Sequence, residues 1–325
     1  MKALGKVLIT AKSVSGSAAS VRLLQDAGCS VDIQSTPLPF DEAWLIEQAR
    51  EVDALLFAME PVSASLIDAA TRLKVIARPG VGFDTVDIAA CTRRGIPVTI
   101  AAVNDQSVAD FAFALLLAAA RNIVPAVQGV QQHGWDRFVG TEVWCKTLTI
   151  VGLGRIGKGL ARRARGFEMR VLAVSDDRDE AFAAAHGVEY VDLATGLREA
   201  DFISLHAPLT PKTENLINRD TLVQMKTGAY LINTARGGLV DEAALAAAVT
   251  AKQIAGAAVD VLREQGANSR SPLIGVPGII VTPHMATFAR EAMERVALSA
   301  AQSIVAVLRG ERPSGVVNPE IYERP

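Results

Sequence analysis

Six apolar runs from Thr147 onward, each stopping at a glycine or a polar residue, constrain the fold more than any other feature of this sequence. The stops are Gly152, Asp176, His206, Arg236, Asp260 and His284, which lie 24, 30, 30, 24 and 24 residues apart. Consecutive parallel strands need a crossover of about a dozen residues between them, usually a helix, and these spacings leave room for one. The expected unit is an open parallel sheet, in which ligands bind beyond the carboxyl ends of the strands. The best candidates for chemistry therefore fall along one edge.

The first hundred residues repeat the alternation more simply. Residues 7–10, 31–34, 54–58, 75–77 and 98–100 are strand-like, with alanine- and leucine-bearing helical stretches between several of them, so a second α/β unit is expected. Residues 105–121, DQSVADFAFALLLAAAR, read as a helix apolar on every face, hence buried, with a place between the two units as the expectation. Residues 289–309 are also helical and are closed by Gly310 and Pro313. Because that helix follows the last strand of the second unit, it is expected to run back and complete the first. The domain boundaries are then 1–101 plus 288–325 for one domain and 102–287 for the inserted one.

A chain of 325 residues is the right length for two domains. With 50% hydrophobic and 21% charged residues it reads as a soluble globular protein, and a net charge of −2 leaves no nucleic-acid footprint. Arg162, Arg163 and Arg165 are the one basic concentration, taken as a solvated helix face. Cys29, Cys91 and Cys145 are widely spaced with no CxxC pair, so neither a disulfide framework nor a metal site is suggested, and a reducing cytoplasm fits. No signal-peptide core precedes residue 12. The longest apolar stretch, residues 108–120, contains Asp110 and is too short to span a membrane.

Gly152-Leu153-Gly154-Arg155-Ile156-Gly157 follows a strand-like run and precedes a helix expected over 158–167. In that context the first glycine permits the tight turn, the second lets pyrophosphate approach the backbone, and the third lets helix and strand pack. The helix N-terminus presents N–H groups to phosphate. Asp176 and Asp177 follow the next strand, where a carboxylate binds the ribose hydroxyls of NAD and repels the extra phosphate of NADP. Arg178 pulls the other way, since a guanidinium there welcomes that phosphate. The reading is NAD, with NADP open.

Several segments together resemble the D-isomer specific 2-hydroxyacid dehydrogenase family: residues 78–87 (RPGVGFDTVD), 107–110 (SVAD), the GLGRIG turn, 205–218 (LHAPLTPKTENLIN), 232–242 (INTARGGLVDE), Asp260-Val261 and 281–284 (VTPH). The resemblance covers nearly the whole chain. It implies two doubly wound parallel-sheet domains, a Rossmann NAD-binding domain inserted in a flavodoxin-like substrate domain. It further implies an enzyme, usually a homodimer, that reduces a small 2-oxoacid with a nicotinamide cofactor bound between the domains. No nucleic acid or membrane is expected as a partner.

The same resemblance assigns residues. Arg236 binds the substrate and His284 is the acid–base group, consistent with what hydride delivery needs: a cation against carboxylate and carbonyl, and a proton donor titrating near neutrality. Gly152, Gly154, Arg155, Ile156, Gly157, Asp176, His206, Pro208, Thr213, Ala235 and Asp260 are the expected cofactor contacts. For Asp260 a helix N-cap is the competing reading. Val81 and Gly82 offer backbone N–H groups to a substrate carboxylate, Arg78 adds a cation, and Asn104 lines the same cleft or caps the following helix. His186 is read as a helix C-terminal ring bonded to last-turn carbonyls, and His133 as a loop residue.

Two departures stand out. The family usually places a glutamate where this chain has Gln265. A neutral amide orients the imidazole without the charge by which a carboxylate raises its pKa, so His284 is expected to titrate lower than is usual in the family, unless neighbouring Glu264 takes the glutamate's place. Ser175 stands where the ribose-binding aspartate is often found. Glyoxylate or hydroxypyruvate is the expected substrate class. A phosphorylated substrate ranks lower because Met59-Glu60 offers an acid where another cation would be needed. The alternative function is a cofactor-sensing binding protein of the same fold that has lost turnover.

Overall fold

The computed structural model describes residues 4–36 and 40–323. The chain divides into two compact units, Met1–Asn104 with Phe288–Pro325, and Asp105–Thr287.

The first unit is a five-stranded parallel sheet. Its strands are β1 (Gly5–Ile9), β2 (Cys29–Ile33), β3 (Ala54–Leu56), β4 (Val75–Arg78) and β5 (Val98–Ile100), in the order β2-β1-β3-β4-β5. That is the flavodoxin-like order. One apolar layer lies on each face of the sheet, one around Leu8, Leu55, Phe57 and Ile76, the other around Val7, Ile9, Leu56 and Ile304. Ile304 belongs to the helix Arg290–Leu308, whose buried stripe Ala292, Val296, Ala297, Ala300, Ala301 and Ile304 is mostly alanine, letting it lie close on the sheet. β3 stops at Leu56, two residues earlier than its apolar run, because the Ala58 N–H turns away to the Glu60 carboxylate (2.8 Å).

The second unit has seven parallel strands: β6 (Thr147–Val151), β7 (Arg170–Val174), β8 (Val188–Tyr190), β9 (Phe202–Leu205), β10 (Tyr230–Asn233), β11 (Gly256–Val259) and β12 (Ile279–Val281). Their order is β12-β11-β10-β9-β6-β7-β8. This is the doubly wound Rossmann order with one strand added, and the order reverses between β6 and β9, which makes that junction the ligand crevice. β9, β10 and β11 are buried along their whole length. Such strands read as unbroken apolar runs, which is why they were legible. β8 was not expected; it is a three-residue edge strand.

The helix Asp105–Ala120 is buried within the second unit, where Phe113, Leu116 and Ala120 join the core beneath β6 and β10. It does not end the apolar segment. Asn122, at φ +51°, turns the chain by 66° into a second helix, Ile123–Gln131, that sequence reasoning missed. None of the residues of that second helix is buried. Among the described residues no single helix is long and apolar enough to cross a membrane.

Candidate active site

The chemistry of the second unit lies on one edge, in strand order. His284 follows β12, Asp260 and Gln265 follow β11, Arg236 follows β10, His206 follows β9, the glycine turn follows β6 and Ser175 follows β7. Neighbouring strands stand about 4.8 Å apart, so β10 and β12, which precede Arg236 and His284 on either side of β11, lie about 10 Å apart.

At the crevice, Gly152 adopts φ +96°, and a Cβ there would fall 2.6 Å from Ala207 N and 2.7 Å from the His206 carbonyl carbon. The turn is thus packed against the strand across the switch point and admits only glycine. A Cβ on Gly157 would fall 2.3 Å from Gly152 O, so the helix Arg155–Arg165 sits hard on the turn. Gly154 is different: nothing lies within 4 Å of where its Cβ would stand. It is the N-cap of the helix and supplies no side-chain acceptor, so the first-turn N–H groups face open space. Room beside Gly154 together with uncapped N–H groups fits a pyrophosphate. The helix begins at Arg155, three residues earlier than expected, because the motif itself forms its first turn. Ile156 is half-buried, and Arg155 donates to Asp105 (3.0 Å).

Beyond β7, Ser175 donates to the Asp177 carbonyl (2.9 Å) and closes the turn, leaving Asp176 and Asp177 exposed. Arg178 lies over the Tyr190 ring at 5.0 Å and 3.9 Å from the Glu180 carboxylate. The Arg162–Arg165 cluster is only partly a solvated face. Arg163 bonds Asp110 and Gln106, and Arg162 covers Phe182. Arg165 reaches the His186 Nδ1 (3.2 Å), so His186 bonds a guanidinium rather than the carbonyls expected for it.

His206 follows β9 with its Nε2 2.9 Å from Ser204 Oγ. Its Nδ1 is buried without a partner, and burial pushes its pKa down to about 4. The ring is a polar group with one orphaned nitrogen, which suits a neutral ligand group such as a carboxamide. Thr213 Oγ1 donates to the Pro208 carbonyl (2.7 Å) and accepts from Thr210 N (2.8 Å), closing the loop that follows.

Arg236 is presented by a side-chain staple that the sequence did not advertise. Asn233, buried at the end of β10, accepts from Ala235 N (3.0 Å) and donates to the Arg236 carbonyl (2.9 Å). The staple fixes the backbone on both sides of the half-buried guanidinium, whose Nη1 also donates to the Ala235 carbonyl (2.7 Å).

Asp260 caps no helix. Its buried carboxylate accepts from Thr282 Oγ1 (2.6 Å), Met285 N (2.9 Å) and Ala286 N (2.8 Å), and its carbonyl accepts from His284 N (2.9 Å). It therefore latches the loop on which His284 sits at φ +51°, a left-handed conformation that a residue with a side chain holds only when its surroundings impose it. Gln265 Oε1 stands 2.7 Å from His284 Nδ1, so the amide, and not Glu264, is the partner of the imidazole. The amide oxygen accepts, which leaves a proton on Nδ1.

In the first unit, Arg78 is the last residue of β4 and its carbonyl accepts from Gly80 N (2.9 Å) and Ala101 N (3.0 Å), tying the 79–82 loop to the end of β5. Val81 and Gly82 lie in that loop, and Asn104 is buried four residues past β5. Arg78 Nη2 lies 3.3 Å from Met59 Sδ. Glu60 does not present its acid outward as expected: it is buried and accepts from Ala58 N and Thr36 Oγ1. Burial works against its charge, but these hydrogen bonds outweigh it and hold the carboxyl below its ordinary range.

The model of the D-isomer specific 2-hydroxyacid dehydrogenase NAD binding domain matches residues 113–286, more than half of the chain. The chain belongs to that family. Among its relatives, a glyoxylate reductase of Korarchaeum cryptofilum is 40% identical over 301 residues, covering 90% of this chain and 91% of the relative. A D-3-phosphoglycerate dehydrogenase of Mycobacterium tuberculosis is 42% identical over 282 residues, 86% of this chain and 53% of that longer protein. Among solved structures, an acyclic imino acid reductase in complex with NADPH and D-arginine superposes with a TM-score of 0.85 at 26% identity, covering 96% of this chain and 99% of that one. The chain is thus an NAD(P)-dependent oxidoreductase with a Rossmann domain.

Proposed function

We propose that this dehydrogenase reduces a small 2-oxoacid of the glyoxylate or hydroxypyruvate class to the D-2-hydroxyacid, with Arg236, Gln265 and His284 as its working set. The observation that carries the assignment is the His284–Gln265 pair at 2.7 Å on the same sheet edge as Arg236 and the glycine turn. The nicotinamide, when bound, supplies the hydride. Arg236 forks onto the substrate carboxylate and polarises the carbonyl, stabilising the negative charge that develops on its oxygen. His284 Nε2 delivers the proton to that oxygen, with Nδ1 held by Gln265 so that the ring cannot turn. Gly152, Gly154, Arg155, Ile156 and Gly157 hold the pyrophosphate. His206, Pro208, Thr213, Ala235 and Asp260 border the nicotinamide, and Val81 and Gly82 with Arg78 and Asn104 receive the substrate.

Asp176 is the proposed ribose contact and NAD the preferred cofactor, supported by two exposed carboxylates after β7 and by an Arg178 already engaged with Tyr190 and Glu180. A phosphorylated substrate is disfavoured because the loop beside Arg78 offers Met59 and an inward Glu60 rather than a second cation. A sensor without turnover would need no imidazole–amide pair, and no observation favours it.

The homodimer is supported by an apolar surface of the second unit. Ile123, Val127 and Val130 line one face of a helix with no buried residue, and Trp135, Phe138, Val139 and Trp144 are exposed in the segment after it. Exposed apolar side chains along one helix face call for a partner, and a second copy with the same face supplies one. Three unpaired cysteines fit a cytoplasmic location. The test is NADH and NADPH oxidation with a panel of 2-oxoacids and chiral analysis of the product. D-glycerate from hydroxypyruvate with NADH is expected, and cofactor binding without oxidation of any substrate refutes the proposal. Val127→Glu should convert a sedimenting dimer to monomer.

A further inference from the structure

We infer that Arg263 is a positioning residue of the acid–base pair: it clamps the loop carrying Gln265 onto the turn carrying Arg236. The inference rests on the reading of His284 as the proton donor. Gln265 sits in an irregular stretch with no strand or helix of its own to fix it, yet its amide must hold an imidazole at 2.7 Å. Something else has to immobilise that stretch, and the contacts show what does.

Arg263 leaves the loop sideways and spends its guanidinium on main chain. Nε donates to the Val240 carbonyl (3.1 Å) and Nη2 to the Gly238 carbonyl (3.0 Å), both in the turn just past Arg236. Nη2 also reaches Asn215 Oδ1, and Nη1 lies 3.6 Å from Glu214, so the same side chain holds the 214–215 turn, whose Asn215 N bonds Gly238 O. The rigid fork meets two turns at once, a task for which a lysine's single ammonium is poorly shaped.

The backbone is pinned as well. Buried Glu242 accepts from Arg263 N (2.7 Å) with one carboxylate oxygen and from Ser271 Oγ (2.7 Å) with the other, so one carboxylate ties both ends of the segment that contains Gln265. Gly237 closes the gap between the two loops: a Cβ there would fall 2.1 Å from the Leu262 carbonyl carbon and 2.4 Å from Arg263 N. The Arg236 turn and the Gln265 loop are therefore one rigid piece, and substrate cation and imidazole partner keep a fixed relation. Arg263 side-chain exposure of 37% means its removal leaves no buried hole, unlike removal of Glu242.

The test is a double-mutant cycle on the full chain, reading glyoxylate reduction by NADH. Arg263→Met keeps the aliphatic stem and should lower kcat roughly 10- to 100-fold, the penalty for a displaced catalytic group, with NADH affinity by fluorescence within about twofold. Its loss should deepen as pH rises, because a loosened Gln265 no longer supports the protonated ring. In a Gln265→Ala background the same change should cost less than about twofold, since the two residues act in series. Arg263→Lys should recover part of the rate. Native kcat in Arg263→Met, or an equal loss in both backgrounds with an unshifted pH profile, overturns the inference alone. Native turnover in His284→Gln brings down the proton-donor reading and this inference with it.

Discussion

Gln265→Glu puts a carboxylate where the amide oxygen stands 2.7 Å from His284 Nδ1. A charge at that distance raises an imidazole pKa by about one to three units, and since His284 is half-buried the lower end, about one unit, is the appropriate size. On the proposed mechanism reduction requires the imidazolium. Above its pKa the protonated fraction falls tenfold per pH unit, so a rise of about one unit multiplies the reduction rate about tenfold on the alkaline limb and leaves it unchanged well below both pKa values. The oxidation direction needs the neutral ring and should lose rate at neutral pH in the same variant. The stability sign follows: a folded-state pKa higher in the variant than in the native chain adds stability while the ring is protonated, lost as pH rises through the folded pKa. Initial rates of NADH oxidation against pH at saturating glyoxylate, with melting curves at the two pH extremes, measure both. Superimposable profiles for the native chain and the variant would refute the claim that Gln265 sets the proton affinity of His284.

Arg236→Lys keeps the charge and loses the fork, and should lower kcat/KM about 10²-fold in steady-state assays while leaving NADH affinity unchanged. Asp260→Ala strands the Thr282 hydroxyl and the Met285 and Ala286 N–H groups; at about 1–3 kcal/mol per unsatisfied group, with water recovering part, a loss of about 3 kcal/mol is expected. That corresponds to a fall in Tm of roughly 6–12 °C in calorimetry for a unit of this size, together with lost turnover as His284 leaves φ +51°. Gly152→Ala should abolish cofactor binding and lower Tm, since its Cβ has no room against Ala207 and its backbone angle is one alanine avoids.

The strands were legible where burial on both faces demands unbroken apolar runs, as in residues 202–205, 230–233 and 256–259. The same rule hides β8, a short edge strand whose Glu189 points to solvent. The missed helix Ile123–Gln131 begins after a left-handed Asn122, and its apolar residues face outward, so periodicity gave no boundary. At the candidate site, residue types suited to the proposed chemistry stood out: the glycine turn, Arg236 and His284. What holds them did not. Asp260 read as a ligand contact or a cap, and Asn233, Arg263 and Glu242 were assigned no role, because each acts on main-chain groups that only the fold brings within reach. Glu60 went the same way, its carboxylate turned inward by Ala58 N–H.

The most direct test of the central claim is the rate of NADH-dependent glyoxylate reduction by His284→Gln. The account predicts a loss of roughly 10²- to 10⁴-fold in kcat with NADH still bound, because the ring is the proton donor while the glycine turn is untouched. Turnover close to the native rate would contradict it.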